Sequence, residues 1–119
     1  MGVLAVGQHI QLTIPNGQAN SNVLKAREAH EDAEELMLYA PAVLDALTFT
    51  IEVTDDPDAV TPVWRTFQSG ETPADVSPPA ATKARSYENL TSAAGIRIHA
   101  SGNVAADRIW EVTKQYRTN

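Results

Sequence analysis

The chain has no cysteine, and that absence removes disulfide frameworks, thiolate nucleophiles and cysteine-ligated zinc together. At 119 residues it can do without such staples. A domain of this size buries about two thirds of the surface its unfolded chain exposes. No run approaches the roughly 20 apolar residues needed to cross a bilayer. The apolar start Met1–Gln8 lacks the basic flank and the length of a secretion signal, so neither membrane insertion nor secretion by that route is expected. Basic residues are scarce as well. Nine Lys and Arg against fifteen Asp and Glu give a net charge of −6, and the nearest thing to a basic patch is Lys83 with Arg85. Binding to phosphate requires a concentrated basic face, which argues against nucleic acid and anionic membranes as partners.

Chemistry-bearing motifs are missing too. There is no G-x-S-x-G elbow, phosphate loop or dinucleotide fingerprint. His9, His30 and His99 come from separated segments with no close pair to nucleate a metal site. The acidic runs Glu28, Glu31, Asp32, Glu34, Glu35 and Asp55, Asp56, Asp58 lack the alternate spacing and turn glycine of a calcium loop, so they read as solvated turns. Paired carboxylates for glycoside hydrolysis would need a cleft that a domain this small rarely builds. Asn89-Leu90-Thr91 matches the glycosylation pattern by chance on this reading. The expectation is a non-enzymatic protein with no catalytic residue, cofactor or metal.

What the chain does have is two-residue periodicity. Ile10, Leu12 and Ile14 share one strand face, and Pro15-Asn16-Gly17 ends that strand with turn chemistry. Leu47, Phe49, Ile51 and Val53 alternate with Thr48, Thr50 and Glu52. Asp55–Asp58 then turns the chain toward a returning strand, Val63–Gln68. Ile96 and Ile98 alternate with Arg97 and His99, Ser101-Gly102-Asn103 supplies a turn, and a second strand from about Ala106 completes a C-terminal hairpin. These strands nominate Ile10, Leu12, Ile14, Leu47, Phe49, Ile51, Val53, Ile96 and Ile98 as the core. Residues 69–81 hold Gly70, Pro73, Pro78 and Pro79 and read as a long exposed loop before a strand over 82–90. Within 22–35 the alternatives are a short helix, by local propensity, or two short strands joined by an acidic turn. The pattern as a whole gives an all-β, single antiparallel β-sandwich of seven to eight strands. Residues 9–116 form the domain and residues 1–8 an N-terminal arm expected to lie against another subunit.

Leu36–Ala42, Leu47–Thr54, Gly95–Gly102 and Ala105–Trp110 together resemble the small β-sandwich virion proteins of tailed bacteriophages. The resemblance covers about two thirds of the chain, from Ile14 onward, and its motifs are short and structural. Asp55-Asp-Pro-Asp58 stands where the family often has a glycine-containing turn, and the 25–35 segment is unusually helix-prone. The resemblance implies a jelly-roll-like fold and a structural role. That role is a capsid decoration or cement protein that stabilises the head lattice, located in the virion and assembled in the host bacterial cytoplasm. Its implied partners are the major capsid protein or other virion proteins, and further copies of itself as a homo-oligomer. A tail, neck or fibre accessory protein is the alternative within that class.

Trp64 and Trp110 set the competing reading, a carbohydrate-binding β-sandwich module, which would expose both rings as stacking platforms flanking a groove. Otherwise they fill the core or an interface. The residues assigned to contact with neighbouring subunits are Val3, Leu4, Val6, Trp64, Trp110 and Tyr116.

Overall fold

A computed structural model describes residues 2–4, 10–26, 33–68 and 74–117, with the backbone alone for 2–4 and 115–117. Nine strands follow in chain order: β1 (Gly2–Leu4), β2 (Ile10–Ile14), β3 (Leu24–Lys25), β4 (Glu35–Tyr39), β5 (Phe49–Thr54), β6 (Arg65–Thr66), β7 (Ala84–Tyr87), β8 (Gly95–Ala100) and β9 (Arg108–Arg117). One turn of 3₁₀ helix, Asn89–Ser92, joins β7 to β8. Of the two alternatives for 22–35, the described part holds strands, β3 and the start of β4, while residues 27–32 lie outside the described residues.

The strands pair as one long antiparallel ribbon. β2 lies against β9, β3 against β8, β4 against β7 and β5 against β6. The midpoint of every one of these pairs, and of β1 with β9, falls between residues 59 and 62. Two further pairings, β4 with β9 and β5 with β8, roll the ribbon up. The result is one sheet ordered β2-β9-β4-β7, with β1 continuing the β2 edge of β9, and a second ordered β3-β8-β5-β6. That is the strand order of a jelly roll.

Rolling is what buries the apolar faces. Leu12, Ile14, Leu36, Leu38, Trp110 and Val112 line the inside of the first sheet, and Phe49, Ile51, Ile96, Ile98 and Ala100 that of the second. Trp110 and Phe49 meet across the gap with ring centroids 5.1 Å apart at a 59° tilt. This tilted geometry is one that aromatic quadrupoles favour. The faces assigned from sequence are the inner ones; Ile10, Leu47 and Val53 are partly buried at its margin.

Four expectations are corrected. β8 and β9 do not form a hairpin, because the 101–107 connection crosses from one sheet to the other. Turn residues there redirect the chain without making its flanks partners. Residues 69–81 are not wholly exposed, since Val76, Pro78 and Pro79 are buried and Tyr87 Oη donates to the Ser77 carbonyl at 2.7 Å. Proline forbids a ladder but not burial. The strand expected over 82–90 is β7 alone, giving way to the 3₁₀ turn. Finally, Gly2–Leu4 pair with 115–117 of their own chain, so this stretch of the arm belongs to the sheet, which runs on to Arg117.

Two positions show how corners are made. Gly95 starts β8 where an added Cβ would meet Pro57 and Thr54 side-chain carbons at 2.8 Å, so only glycine admits the acidic turn onto the strand. Asn22 seals the outer edge of β2: its Oδ1 accepts from Thr13 N at 2.7 Å, its Nδ2 donates to Gln11 O at 3.1 Å and its own N–H donates to Thr13 O at 3.2 Å. A strand edge satisfied this way offers no template to another chain.

Two outcomes follow for variants. Phe49→Ala should cost about 3–5 kcal/mol, read from the urea midpoint, as an aromatic removed from a packed core. Asn22→Ala should leave the fold intact but increase concentration-dependent aggregation followed by light scattering, since Thr13 N–H and Gln11 C=O on the β2 edge then lose their partners.

Candidate functional site

A two-pronged ion pair lies where the β4–β5 connection meets β9. Asp45 and Ala46 both adopt left-handed backbone, with φ of 56° and 54°, in a turn closed by Leu47 N–H donating to Leu44 O at 3.1 Å. Non-glycine residues pay about 1–2 kcal/mol each for that conformation. Arg108 holds the turn with a two-pronged grip, Nε donating to Asp45 Oδ2 at 2.8 Å and Nη2 to Oδ1 at 2.6 Å, both side chains being only about 15% exposed. The Arg108 hydrogen bonds, and after them the Ala105 N–H, hold the Asp45 carboxyl below its ordinary range against the opposing pull of desolvation. The pair fixes one corner of the frame; both of its charges are engaged by each other.

On the outer face of the second sheet Glu52 and Arg97 sit opposite each other in register, joined by Arg97 Nε donating to Glu52 Oε1 at 2.8 Å. The Arg97 guanidinium stacks 4.2 Å from the centroid of the Trp64 ring. Trp64 is thus half-buried beneath a cation that is itself paired. His99, next along β8, has Nδ1 2.6 Å from Asn20 Oδ1.

The outer face of the first sheet is mixed. Tyr39 and Ile109 are each exposed by a little over a third, beside a hydrogen bond from Gln11 Nε2 to Glu111 Oε1 of 2.8 Å. Along the β2 edge runs an open groove of about 800 Å³ lined by Gln11, Thr13, Gln18 and Asn20–Asn22. The Asn22 amide is engaged by β2 and that of Asn20 by His99.

Of the residues assigned from sequence to subunit contact, Val3, Leu4 and Tyr116 come together in the β1–β9 pairing, while Trp64 and Trp110 lie apart from them. Trp110 is fully buried in the monomer, with Nε1 lacking a hydrogen-bond partner among the described residues, and so presents nothing to a neighbour. Its place between Leu12 and Phe49 makes it core. Trp64 keeps partial exposure under Arg97. Val3, Leu4 and Tyr116 lie in the β1–β9 pairing, where only backbone is described, and Val6 lies outside the described residues, as do His9 and His30. Among the described residues no three His, Asp or Glu side chains gather as a metal site, and no helix is long and apolar enough to cross a membrane. Sequence reasoning missed the Asp45–Arg108 grip, since nothing local to either residue signals a partner 63 positions away. Comparison with family models, curated proteins and solved structures gave no match.

Two titrations test this geometry. Asp45, held below its ordinary value of 3.8, contributes stability in full above that pH and loses it as pH falls through the lowered value. Asp45→Asn should therefore destabilise at pH 7 and flatten the acid limb of urea unfolding. Burial pushes the Tyr87 hydroxyl up to about 12, so its contribution is present below the unfolded value of 10.0 and fades as pH rises toward 12. Tyr87→Phe should remove that alkaline dependence. Ala46→Gly, which relieves a strained left-handed residue and leaves Arg108 its partner, should raise stability by up to about 1 kcal/mol.

Proposed function

We propose that this chain is a non-enzymatic structural subunit of a tailed-phage particle, acting as a capsid decoration protein that binds the head lattice. The observation that carries this reading is the fate of the two tryptophans. A sugar-binding module needs exposed rings, yet Trp110 is fully buried and Trp64 lies under the Arg97 guanidinium. The pair of platforms that would favour the carbohydrate reading is absent among the described residues. Further support comes from where the family-like motifs fall. Leu36–Ala42 covers most of β4, Leu47–Thr54 contains β5, Gly95–Gly102 contains β8 and Ala105–Trp110 starts β9. These are the two central strands of each sheet, so the motifs belong to the frame. Binding then belongs to surfaces, where area and repeated copies supply affinity.

Co-production with the major capsid protein of the phage that encodes it should give shells on which the chain co-sediments at a fixed, saturable ratio. A chain that stays at the top of the gradient while binding defined glycans on an array would replace this reading with the carbohydrate-binding one.

A further inference from the structure

The two ends of the sandwich differ in charge, and each carries exposed apolar side chains. At one end β5 finishes at Thr54, in register with Gly95 at the start of β8, and the Asp55–Trp64 connection projects beyond them. Val60, at the fold of the ribbon, is 103% exposed and Val63 57%. Asp55 and Asp56 flank them, both exposed, with Arg65 Nη1 4.0 Å from Asp55 Oδ1 in a solvent-screened pair. The connection is nonetheless pinned. Asp58 N–H donates to Asp56 Oδ1 at 3.2 Å, Lys25 Nζ pairs with Asp58 at 2.7 Å, Pro57 rests where Gly95 leaves room, and Trp64 is stacked under Arg97. A hydrophobic tip on a fixed base loses little entropy on docking.

The opposite end is complementary. Tyr39 pairs with Ala84, so the end of β4 and the start of β7 lie together, and Ala40 N–H donates to Lys83 O at 2.9 Å. Lys83 and Arg85 are exposed there, beside the partly exposed Tyr39 and close in sequence to Val43, which is 51% exposed. In a chain of net charge −6 this is a local concentration of positive charge next to apolar surface, the counterpart of Asp55, Asp56, Val60 and Val63.

We infer that the occupant of the Val60 end is a second copy of this chain, docked head to tail so that Asp55, Asp56, Val60 and Val63 of one copy meet Lys83, Arg85, Tyr39 and Val43 of the next. Because the two surfaces differ and sit at opposite ends, the contact is heterologous, and it propagates into chains or closes into rings. This deepens the proposed structural role by naming the self-contact, yet the contact itself requires no particle.

Sedimentation equilibrium of the purified full chain tests it. At low salt the average mass should rise with concentration past that of a dimer, and fall back toward one copy at high salt. Val60→Asp, at a position that touches nothing, should keep the melting temperature and weaken association about tenfold or more. D55K, which leaves the Asp56–Asp58 turn bond in place, and K83E/R85E should each be monomeric alone and should associate when mixed, because each then supplies what the other lacks. A wild-type chain that stays monomeric across the concentration range overturns the inference, as does association that survives Val60→Asp or fails to return on mixing. Shell binding by such a chain would still leave the decoration reading standing.

Discussion

Everything in this protein depends on rolling one antiparallel ribbon onto itself. Laid flat, the ribbon would expose Leu12, Leu36, Phe49, Ile96 and Trp110 along one side, and a two-stranded ribbon alone is marginal in water. The β4–β9 and β5–β8 pairings double it over, and only then do the two apolar faces meet. Trp110 and Phe49 come from the two halves so joined, and their contact exists only when both cross-pairings are made. Among the described residues the buried Trp110 N–H has no acceptor, and packing against Phe49 and Leu12 places the ring. Burial of its large apolar area offsets an unmade hydrogen bond of about 1–3 kcal/mol.

A rolled ribbon must turn corners, and the unusual backbone sits there. Residues 19–25 run along β8 first through Ala19 and Ser21 and then through Leu24, and between them Asn22 reaches across to β2 in the other sheet. The chain leaves one ladder for a moment, and a side-chain amide makes good the difference. At the β4–β5 corner two consecutive left-handed residues provide the reversal, and Arg108 holds them from β9. Gly95 admits the Asp55–Asp58 turn by having no side chain. Ion pairs and glycine here serve geometry; the free energy of folding comes from the apolar interior they allow to close.

The legible parts of the fold were those with one wet and one dry face. β2, β5 and β8 alternate cleanly because Thr13, Thr50, Glu52 and Arg97 look outward between buried aliphatics. β3 is two residues anchored by Leu24, and β6 is two exposed residues, so neither is long enough to show a period. β9 pairs with β2 and β1 on one side and with β4 over 111–115 on the other, with Ile109 outward and Trp110 inward, and its pattern alone does not reveal which face is buried. Ser101-Gly102-Asn103 announces a turn truthfully; whether the next strand pairs with the last or crosses to the other sheet depends on β4, far away in sequence. The same limit hid which tryptophan is core. Trp64 and Trp110 look alike in sequence, and only the three-dimensional position of Arg97 and Phe49 separates a covered surface ring from a core ring.

A jelly roll built this way is polar along its long axis even though its strands run both ways. The fold of the ribbon brings the Asp55–Trp64 connection to one end, while the corners around Asp45 and Lys83 gather at the other. Loops at the two ends are therefore free to differ in charge without disturbing any ladder, and here they do. The frame contributes rigidity, since Val60 is fixed relative to Lys83 by the same cross-pairings that bury the core. A protein organised in this way presents two chemically opposed surfaces at a constant separation. Under the proposed head-to-tail contact, each weak contact would fall at the same spacing as the next and the contacts would add.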